Sequence, residues 1–241
     1  MLVLVLGMLA QYEVYGMMEQ GGVRAWKVAG LALGGVLALR AFVPFALPLA
    51  VVGFLGLLAW SPFTKVEKPL SSLGATVLGA FYPTALLAFL TDLRLAQGPS
   101  VGDLEAFYLT LTVLLLIWAT DILAYYTGKA IGKHKLAPSV SPKKTWEGSV
   151  GGALGAVLVA VALKLTLISF LDWSHVVALA LICGVVSQVG DLAESRFKRS
   201  VGVKDSGRML PGHGGLLDRF DAALLAVPLA YLYLAYVARI F

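Results

Sequence analysis

Long apolar segments recur along the whole chain, and they determine what it can fold into. A helix needs about 20 apolar residues to cross roughly 30 Å of hydrocarbon. Apolar runs lie at about 1–12, 27–40, 41–60, 72–92, 104–126, 148–171, 174–190 and 222–239. Hydrophobic residues make up 59% of the sequence and charged residues 14%, against about 25% charged in soluble domains. We therefore predict an all-α, polytopic integral membrane protein, a helical bundle with about eight transmembrane helices, of which the short first two are tilted or partial.

The polar segments between these runs are too short to form a separate soluble domain. We predict one membrane unit, in which residues 1–103 are amino-terminal helices and residues 104–241 are catalytic helices with loops at 127–147 and 191–221. The first run lacks the basic segment of a signal peptide, so no cleavage is expected. Cys183 is the only cysteine, which excludes a disulfide within the chain.

The basic residues predict which loops face the cytoplasm. Residues 127–146 carry five lysines and no acid, and two runs separate them from the basic segment 191–221. Both loops therefore lie on one side, which the positive-inside rule makes cytoplasmic. The net charge of +5 is explained by basic loops that face an anionic leaflet rather than by nucleic-acid binding.

The segment 187–221 concentrates five of the fourteen acidic residues. If the helix from 174 continues to 199, Ser187, Asp191, Glu194 and Lys198 share one of its faces. Asp191 would then sit at the membrane boundary, where a carboxylate needs a partner. Two interpretations remain open, an ion pair at the helix exit and a metal ligand.

Further along, Asp218 and Asp221 lie one turn apart at the start of the last run. Capping of the helix is the alternative to a metal role, above all for Asp221. Between the two acidic clusters, glycines flank His213, and Lys204 and Arg208 precede it. Such a loop lets backbone N–H groups and cations approach phosphate; a plain surface loop is the alternative.

The loop before run 148–171 adds a second basic cluster. Lys143 and Lys144 are candidates for anion binding or ordinary positive-inside charge, and Trp146 for an interfacial anchor or a base-stacking residue. Asp121 lies within a run and is by default a functional candidate, with an ion pair to Lys129 as the alternative. Glycines at 148–155 predict close helix packing.

Carboxylates, bases and a glycine turn on one side of the bilayer favour phosphoryl or nucleotidyl transfer, because positioning and charge neutralisation do most of that chemistry. No Walker A spacing and no zinc-type cluster of histidines and cysteines is present. No pairing suggests a protein nucleophile either.

At this point the chain resembles the phosphatidate cytidylyltransferase family. The resemblance is strong over about 118–221 and includes the block at 141–148 and the segment 190–195. The family signature is matched without a break by Ser195, Lys198-Arg199, Lys204-Asp205, Gly207, Leu210-Pro211, His213-Gly214-Gly215, Asp218-Arg219 and Asp221.

The resemblance implies transfer of CMP from CTP to phosphatidic acid, giving CDP-diacylglycerol and pyrophosphate. It implies Mg²⁺, with a second cation left open, a homodimer, no nucleic-acid partner, and a site in a bacterial-type inner membrane that faces the cytoplasm and opens to membrane lipid. The implied metal ligands are Asp191, Asp218 and Asp221. The implied catalytic residues are Asp191, Asp218, His213, Lys204 and Asp205, and the implied substrate-binding residues are Lys143, Lys144, Ser195, Lys198, Arg199, Arg208, Gly214, Gly215, Arg219 and Asp121.

Three alternatives stay open. A CTP-dependent lipid kinase and an ether-lipid cytidylyltransferase would use the same carboxylates, basic residues and glycine turn. An ion-coupled transporter is the alternative from another class, although the ionisable residues cluster at one surface and no inverted repeat is visible.

Overall fold

A computed structural model describes residues 1–207, 209, 212 and 214–241. Its residues form two compact units, one of residues 1–88 and 197–220 and the other of residues 89–196 and 221–241. Within the described residues, five helices are long and apolar enough to cross a membrane: Ala46–Phe63, Pro69–Arg94, Asp103–Ile131, Trp146–Thr166 and Trp173–Ser200. The predicted all-α polytopic class is confirmed, whereas the count of eight spans is not.

The first unit contains helices α1 (Leu2–Gln20), α2 (Lys27–Ala38), α3 (Ala46–Trp60) and α4 (Pro69–Gly79). A 3₁₀ turn at Ser61–Phe63 extends α3, and a π-helical turn at Ala80–Ala85 extends α4 around Pro83. The segment 197–220 adds the end of a later helix, a loop and a 3₁₀ turn at Leu217–Arg219.

Helix α1 corrects the prediction that the first helix ends near residue 12. It continues to Gln20 because its polar side chains find partners inside the protein. The Gln11 amide donates to Tyr15 Oη at 2.8 Å and to the Gly30 carbonyl at 2.6 Å. Tyr15 in turn donates to the Thr76 carbonyl at 2.7 Å. These bonds satisfy the buried polar groups of α1. Polar side chains of this kind are the reason that the hydropathy pattern ends the first run near residue 12.

The second unit contains α5 (Phe89–Arg94), α6 (Asp103–Ile131), α7 (Trp146–Thr166), α8 (Trp173–Leu181), α9 (Ser187–Ser200) and α10 (Ala223–Leu232). A π-helical turn at Ile182–Val186 makes α8 and α9 continuous, and another at Tyr233–Val237 follows α10. The last residues of α9 belong to the first unit. The continuation to Ser200 agrees with the predicted helix over 174–199.

Two local predictions in this unit are wrong. Residues 127–131, with Lys129, belong to α6 rather than to a loop, and the rest of the predicted loop contains strands β1 (Lys135–Ala137) and β2 (Ser141–Thr145). These strands pair antiparallel, with Lys135 opposite Thr145. The Thr145 hydroxyl then caps α7 by accepting from the Gly148 amide at 3.2 Å, an ordinary helix start.

Helices α6 and α7 pack closely, as the glycines at 148–155 predict. A Cβ on Gly152 would lie 2.7 Å from the Thr120 carbonyl oxygen, and one on Gly148 would lie 2.7 Å from the Ala124 carbonyl oxygen. Only glycine permits this approach of one backbone to another. The core beside this contact comes from α6, α8 and α10, and Cys183 is completely buried in it.

Candidate active site

Asp218 is the best-anchored carboxylate in the carboxyl-terminal loop. It lies in the 3₁₀ turn Leu217–Arg219, and its Oδ1 accepts from Lys198 Nζ at 2.6 Å. Its Oδ2 accepts from the backbone amides of Gly215 at 2.8 Å and Ser206 at 3.1 Å. The two charged side chains are only 11% and 10% exposed. The pair is thus held in place rather than loosely associated at the surface.

The surroundings of Asp218 keep it ionised. Burial by itself would raise the pKa of this carboxyl, but the hydrogen bonds from Lys198, Gly215 and Ser206, together with the lysine charge, outweigh burial and lower the pKa. An anionic oxygen that is fixed by backbone amides is suited to hold a cation or to orient a base. Gly214 approaches this carboxylate with φ of +81°, a backbone conformation that favours glycine.

Glu13 was missed by the sequence analysis, which placed it in a loop. It lies in α1, is 5% exposed, and accepts hydrogen bonds from the Ser206 hydroxyl at 3.1 Å and from the amides of Leu216 at 3.0 Å and Leu217 at 2.9 Å. The one signal in the sequence is a carboxylate directly after the first apolar run, and it does not indicate which groups the carboxylate binds. The carboxylate therefore ties α1 to the two loop segments that also hold Asp218.

A polar cavity of about 540 Å³ lies between α1 and this loop. Lys204 and Asp205, both predicted site residues, line it together with Tyr12, Glu13 and Gly16. A larger cavity of about 970 Å³ lies beside α6, α7 and the hairpin. Apolar residues, among them Trp146, line one part of it, and Thr127, Lys133, His134, Lys135 and Glu147 line the rest. The smaller cavity is the better candidate, because Lys204 and Asp205 of the signature line it.

In the second unit, the predicted residues gather around Asp191. Lys144 of β2 pairs with its Oδ2 at 2.5 Å, and the Ser195 hydroxyl donates to its Oδ1 at 3.3 Å. Asp121 of α6 lies near enough to interact electrostatically with both Asp191 and Lys144. Lys129, the partner weighed for Asp121 in the sequence, instead lies over the Tyr125 ring at 5.9 Å. Lys144 therefore pairs directly with Asp191, and its charge also acts on Asp121.

The remaining predicted residues are placed as follows. Lys143 is exposed on β2, and Arg199 donates to the Val203 carbonyl at 2.9 Å at the end of α9. Asp221 accepts from the Ala222 amide at 2.6 Å just before α10. The N-cap of that helix is Ala222, without a side-chain cap hydrogen bond, so the capping weighed as the alternative for Asp221 is not observed. Arg219 lies in the same 3₁₀ turn as Asp218. His213 and Arg208 lie outside the described residues.

The donor chemistry around Asp191 and Asp218 fits Mg²⁺. Among the residues that the structure describes, no three groups of the kind that ligate metals converge on one point. Mg²⁺ commonly binds through one or two carboxylates and completes its octahedron with water and substrate phosphates. Asp121 with Asp191 offers such a pair, and Lys144 offsets part of their charge. The residues present could therefore hold the ion with the help of a phosphorylated substrate.

Comparison with known proteins gives consistent matches. The profile of a group described as the cytidylyltransferase family matches residues 1–237. A Brucella abortus protein named phosphatidate cytidylyltransferase is 43% identical over 187 residues, which are 77% of this chain and 65% of the relative. A Bacillus subtilis protein of the same name is 36% identical over 187 residues, 78% of this chain and 67% of the relative.

A Staphylococcus aureus protein, again named phosphatidate cytidylyltransferase, is 46% identical over 129 residues, 52% of this chain and 48% of the relative. The chain thus spans slightly less than two thirds of the Brucella relative that it matches. The shared region nevertheless extends well beyond the loop with the signature, since it covers most of the chain in the first two cases.

Proposed function

Because the chain belongs to the cytidylyltransferase family, we propose that it transfers CMP from CTP to phosphatidic acid and releases pyrophosphate. A phosphate oxygen of the lipid attacks the α-phosphorus of CTP, and the bond from that phosphorus to the bridging oxygen of the β-phosphate breaks. The products are CDP-diacylglycerol and pyrophosphate. No covalent intermediate on the protein is required.

The observation that carries this proposal is the fixed geometry of Asp218. A carboxylate held by Lys198 and two loop amides, beside a polar cavity lined by Lys204 and Asp205, is a ready-made environment for a polyphosphate. Positioning and electrostatic stabilisation are the main sources of rate in such transfers. The long apolar helices provide the bilayer setting that a substrate with two acyl chains needs.

We assign Asp191 and Asp218 as ligands of Mg²⁺, with Asp121 supporting Asp191. When bound, the ion would neutralise developing charge on the phosphates and orient the leaving pyrophosphate. Lys144 neutralises the Asp121–Asp191 pair and is free to move to a phosphate when a cation takes over that role. Lys204 lines the cavity and contributes positive charge to the triphosphate.

The setting of the reaction belongs to the proposal as well. Basic loops favour a cytoplasmic site, where CTP is available, and the relatives are bacterial, which favours the inner membrane. We further propose a homodimer.

Purified protein in phosphatidic acid vesicles, supplied with Mg²⁺ and CTP labelled at the α-phosphorus, tests the reaction. We expect the label in a lipid product and unlabelled pyrophosphate in solution. Label that stays in soluble CDP, while γ-labelled CTP in a parallel reaction labels the lipid, would identify a lipid kinase. Turnover in parallel vesicles of ether-linked lipid, with none in phosphatidic acid vesicles, would identify the other cytidylyltransferase. Ion flux without CTP would instead indicate a transporter.

A further inference from the structure

We propose that Glu13 is the positioning residue of the active site: from α1 it holds both ends of the carboxyl-terminal loop so that Asp218 and the polar cavity keep their shape. The inference rests on the proposed function for its catalytic consequence. Its structural part depends only on contacts within the first unit. Neither the signature nor the predicted site residues include Glu13.

Glu13 and Asp218 accept hydrogen bonds from the same two loop segments. Ser206 donates its hydroxyl to Glu13 and its amide to Asp218. At the other end of the loop, the Gly215 amide donates to Asp218, while the next two amides, of Leu216 and Leu217, donate to Glu13. The two carboxylates therefore hold Ser206 at one end of the loop and Gly215 to Leu217 at the other. Because their donors are the same or adjacent residues, displacement of one carboxylate displaces the donors of the other.

A carboxylate suits this position because only acceptors are needed. Three donors converge on two oxygens, and a carboxylate has about four lone-pair directions and no proton to place. Glutamine would keep the length of the side chain but would direct an NH₂ group at one of the three donors. That leaves a buried donor without an acceptor, an arrangement that native structures avoid.

Two signature glycines fit closely around the same carboxylate. A Cβ on Gly207 would collide with Glu13 Oε1, and a Cβ on Gly215 would lie 2.6 Å from Glu13 Oε2 and would collide with the Ser206 hydroxyl. The space that a side chain would need is occupied by Glu13. These two glycines are therefore explained by the acid on α1, beyond any approach to phosphate.

The same helix also forms one wall of the polar cavity. Tyr12 and Gly16 of α1 line it opposite Lys204 and Asp205. If Glu13 releases the loop, the cavity changes together with Asp218. Loss of Glu13 should consequently reduce turnover more than it reduces the affinity for the lipid substrate, whose acyl chains are held by the bilayer.

The test compares Glu13→Gln with the wild type and with Glu19→Gln. Glu19 lies on the same helix but pairs with Lys27 at 2.7 Å near the surface, so it is a matched control. Hydrogen–deuterium exchange of the full-length protein in detergent is followed in peptides that cover 214–220. We expect the amides of Leu216 and Leu217 to exchange at least about tenfold faster in Glu13→Gln and to be unchanged in Glu19→Gln.

Activity is measured on the same preparations as separate kcat and KM values. We expect kcat to fall at least about tenfold in Glu13→Gln, with KM for phosphatidic acid within about threefold of the wild-type value. Unchanged exchange in Glu13→Gln would overturn the inference, and so would faster exchange with normal kcat. A wild-type protein that transfers no CMP would refute the proposed function alone, because the exchange measurement still decides the structural part.

A milder variant covers the case in which Glu13→Gln does not fold. Ser206→Ala removes one of the three donors and leaves the carboxylate in place. We expect faster exchange at Leu216 and Leu217 and an intermediate kcat. Exchange and kcat both equal to those of the wild type would count against the inference.

Discussion

Replacing Asp218 by asparagine should abolish turnover and also weaken the fold by a measurable amount. The side chain is 11% exposed and accepts from Lys198 and from two backbone amides. Asparagine keeps one acceptor oxygen, but its NH₂ group faces amide donors, and the nearly buried ammonium of Lys198 loses the counter-charge of Asp218. Breaking a buried ion pair from one side costs about 3–5 kcal/mol. We expect the lower end, about 3 kcal/mol, because part of the hydrogen bonding survives.

The matched variant is Asp191→Asn. Its ion pair with Lys144 is 27% exposed on both sides, and pairs that water reaches contribute about 1 kcal/mol or less. Both variants should lose turnover by at least about 10²-fold, because each removes a carboxylate assigned to hold the cation that would stabilise charge on the reacting phosphates. Only Asp218→Asn should also unfold earlier, by about 6–12 °C for a chain of this size.

Thermal unfolding in detergent and transfer of α-labelled CMP into lipid measure the two effects on one preparation. Near-normal turnover of Asp218→Asn at saturating Mg²⁺ would remove Asp218 from the site. An unfolding midpoint within about 2 °C of the wild type would refute the argument from burial.

The stability difference between the wild type and Asp218→Asn should depend on pH in a defined direction. A carboxyl whose pKa is lower in the folded than in the unfolded protein stabilises the fold above its unfolded pKa, and that stabilisation is lost as pH falls through the folded pKa. The pKa of Asp218 is lowered. The difference in midpoint between wild type and Asp218→Asn should therefore stay constant from about pH 8 to about pH 5 and shrink only in more acidic solution. A difference that disappears near about pH 6 would contradict the assignment.

Three further predictions follow from other contacts. Gly152→Ala should destabilise the protein by about 1–3 kcal/mol, because its Cβ would lie 2.7 Å from the Thr120 carbonyl oxygen. Gly35→Ala is the control: a Cβ there would meet no atom within 4 Å, so the unfolding midpoint should stay unchanged or rise slightly. Lys144→Gln should lower the rate of CMP transfer about 10²-fold, and Lys144→Arg should recover part of it. Equal activities of the wild type and both variants would exclude a role for the positive charge of Lys144. Lys164→Gln should keep turnover within about twofold of the wild type, since that lysine can extend to the interface; a larger loss in the same assay would show that it acts in the site.

The sequence was sufficient for the fold class and for the course of the helix that carries Asp191, because both depend on local patterns. Long apolar runs can only be satisfied in lipid, and the helical spacing from Ser187 to Lys198 is borne out by a helix that continues to Ser200. Glu13 could not be predicted in the same way. Its donors lie about two hundred positions along the chain at Ser206 and Leu216, and no local pattern reports such a contact.

Of two helix boundaries that differ from the apolar runs, one has a local cause and the other depends on distant partners. The run 41–60 begins as a helix only at Ala46, because Pro44 disfavours helix in the residue before it, which is a local cause that the sequence displays. By contrast, α1 continues past residue 12 because Gln11 and Tyr15 bond to α2 and α4. A hydropathy pattern contains the polarity of such side chains but not the identity of their hydrogen-bond partners.

The buried position of Cys183 makes the protein a convenient background for site-directed labelling. It is the only thiol in the sequence, and it is completely enclosed among helices, so a maleimide added to the intact protein should not reach it. A thiol introduced by Lys135→Cys in the hairpin or by Asp172→Cys between α7 and α8 would then be the single reactive site. A reagent that cannot cross the bilayer would report on which face of a sealed vesicle each position lies.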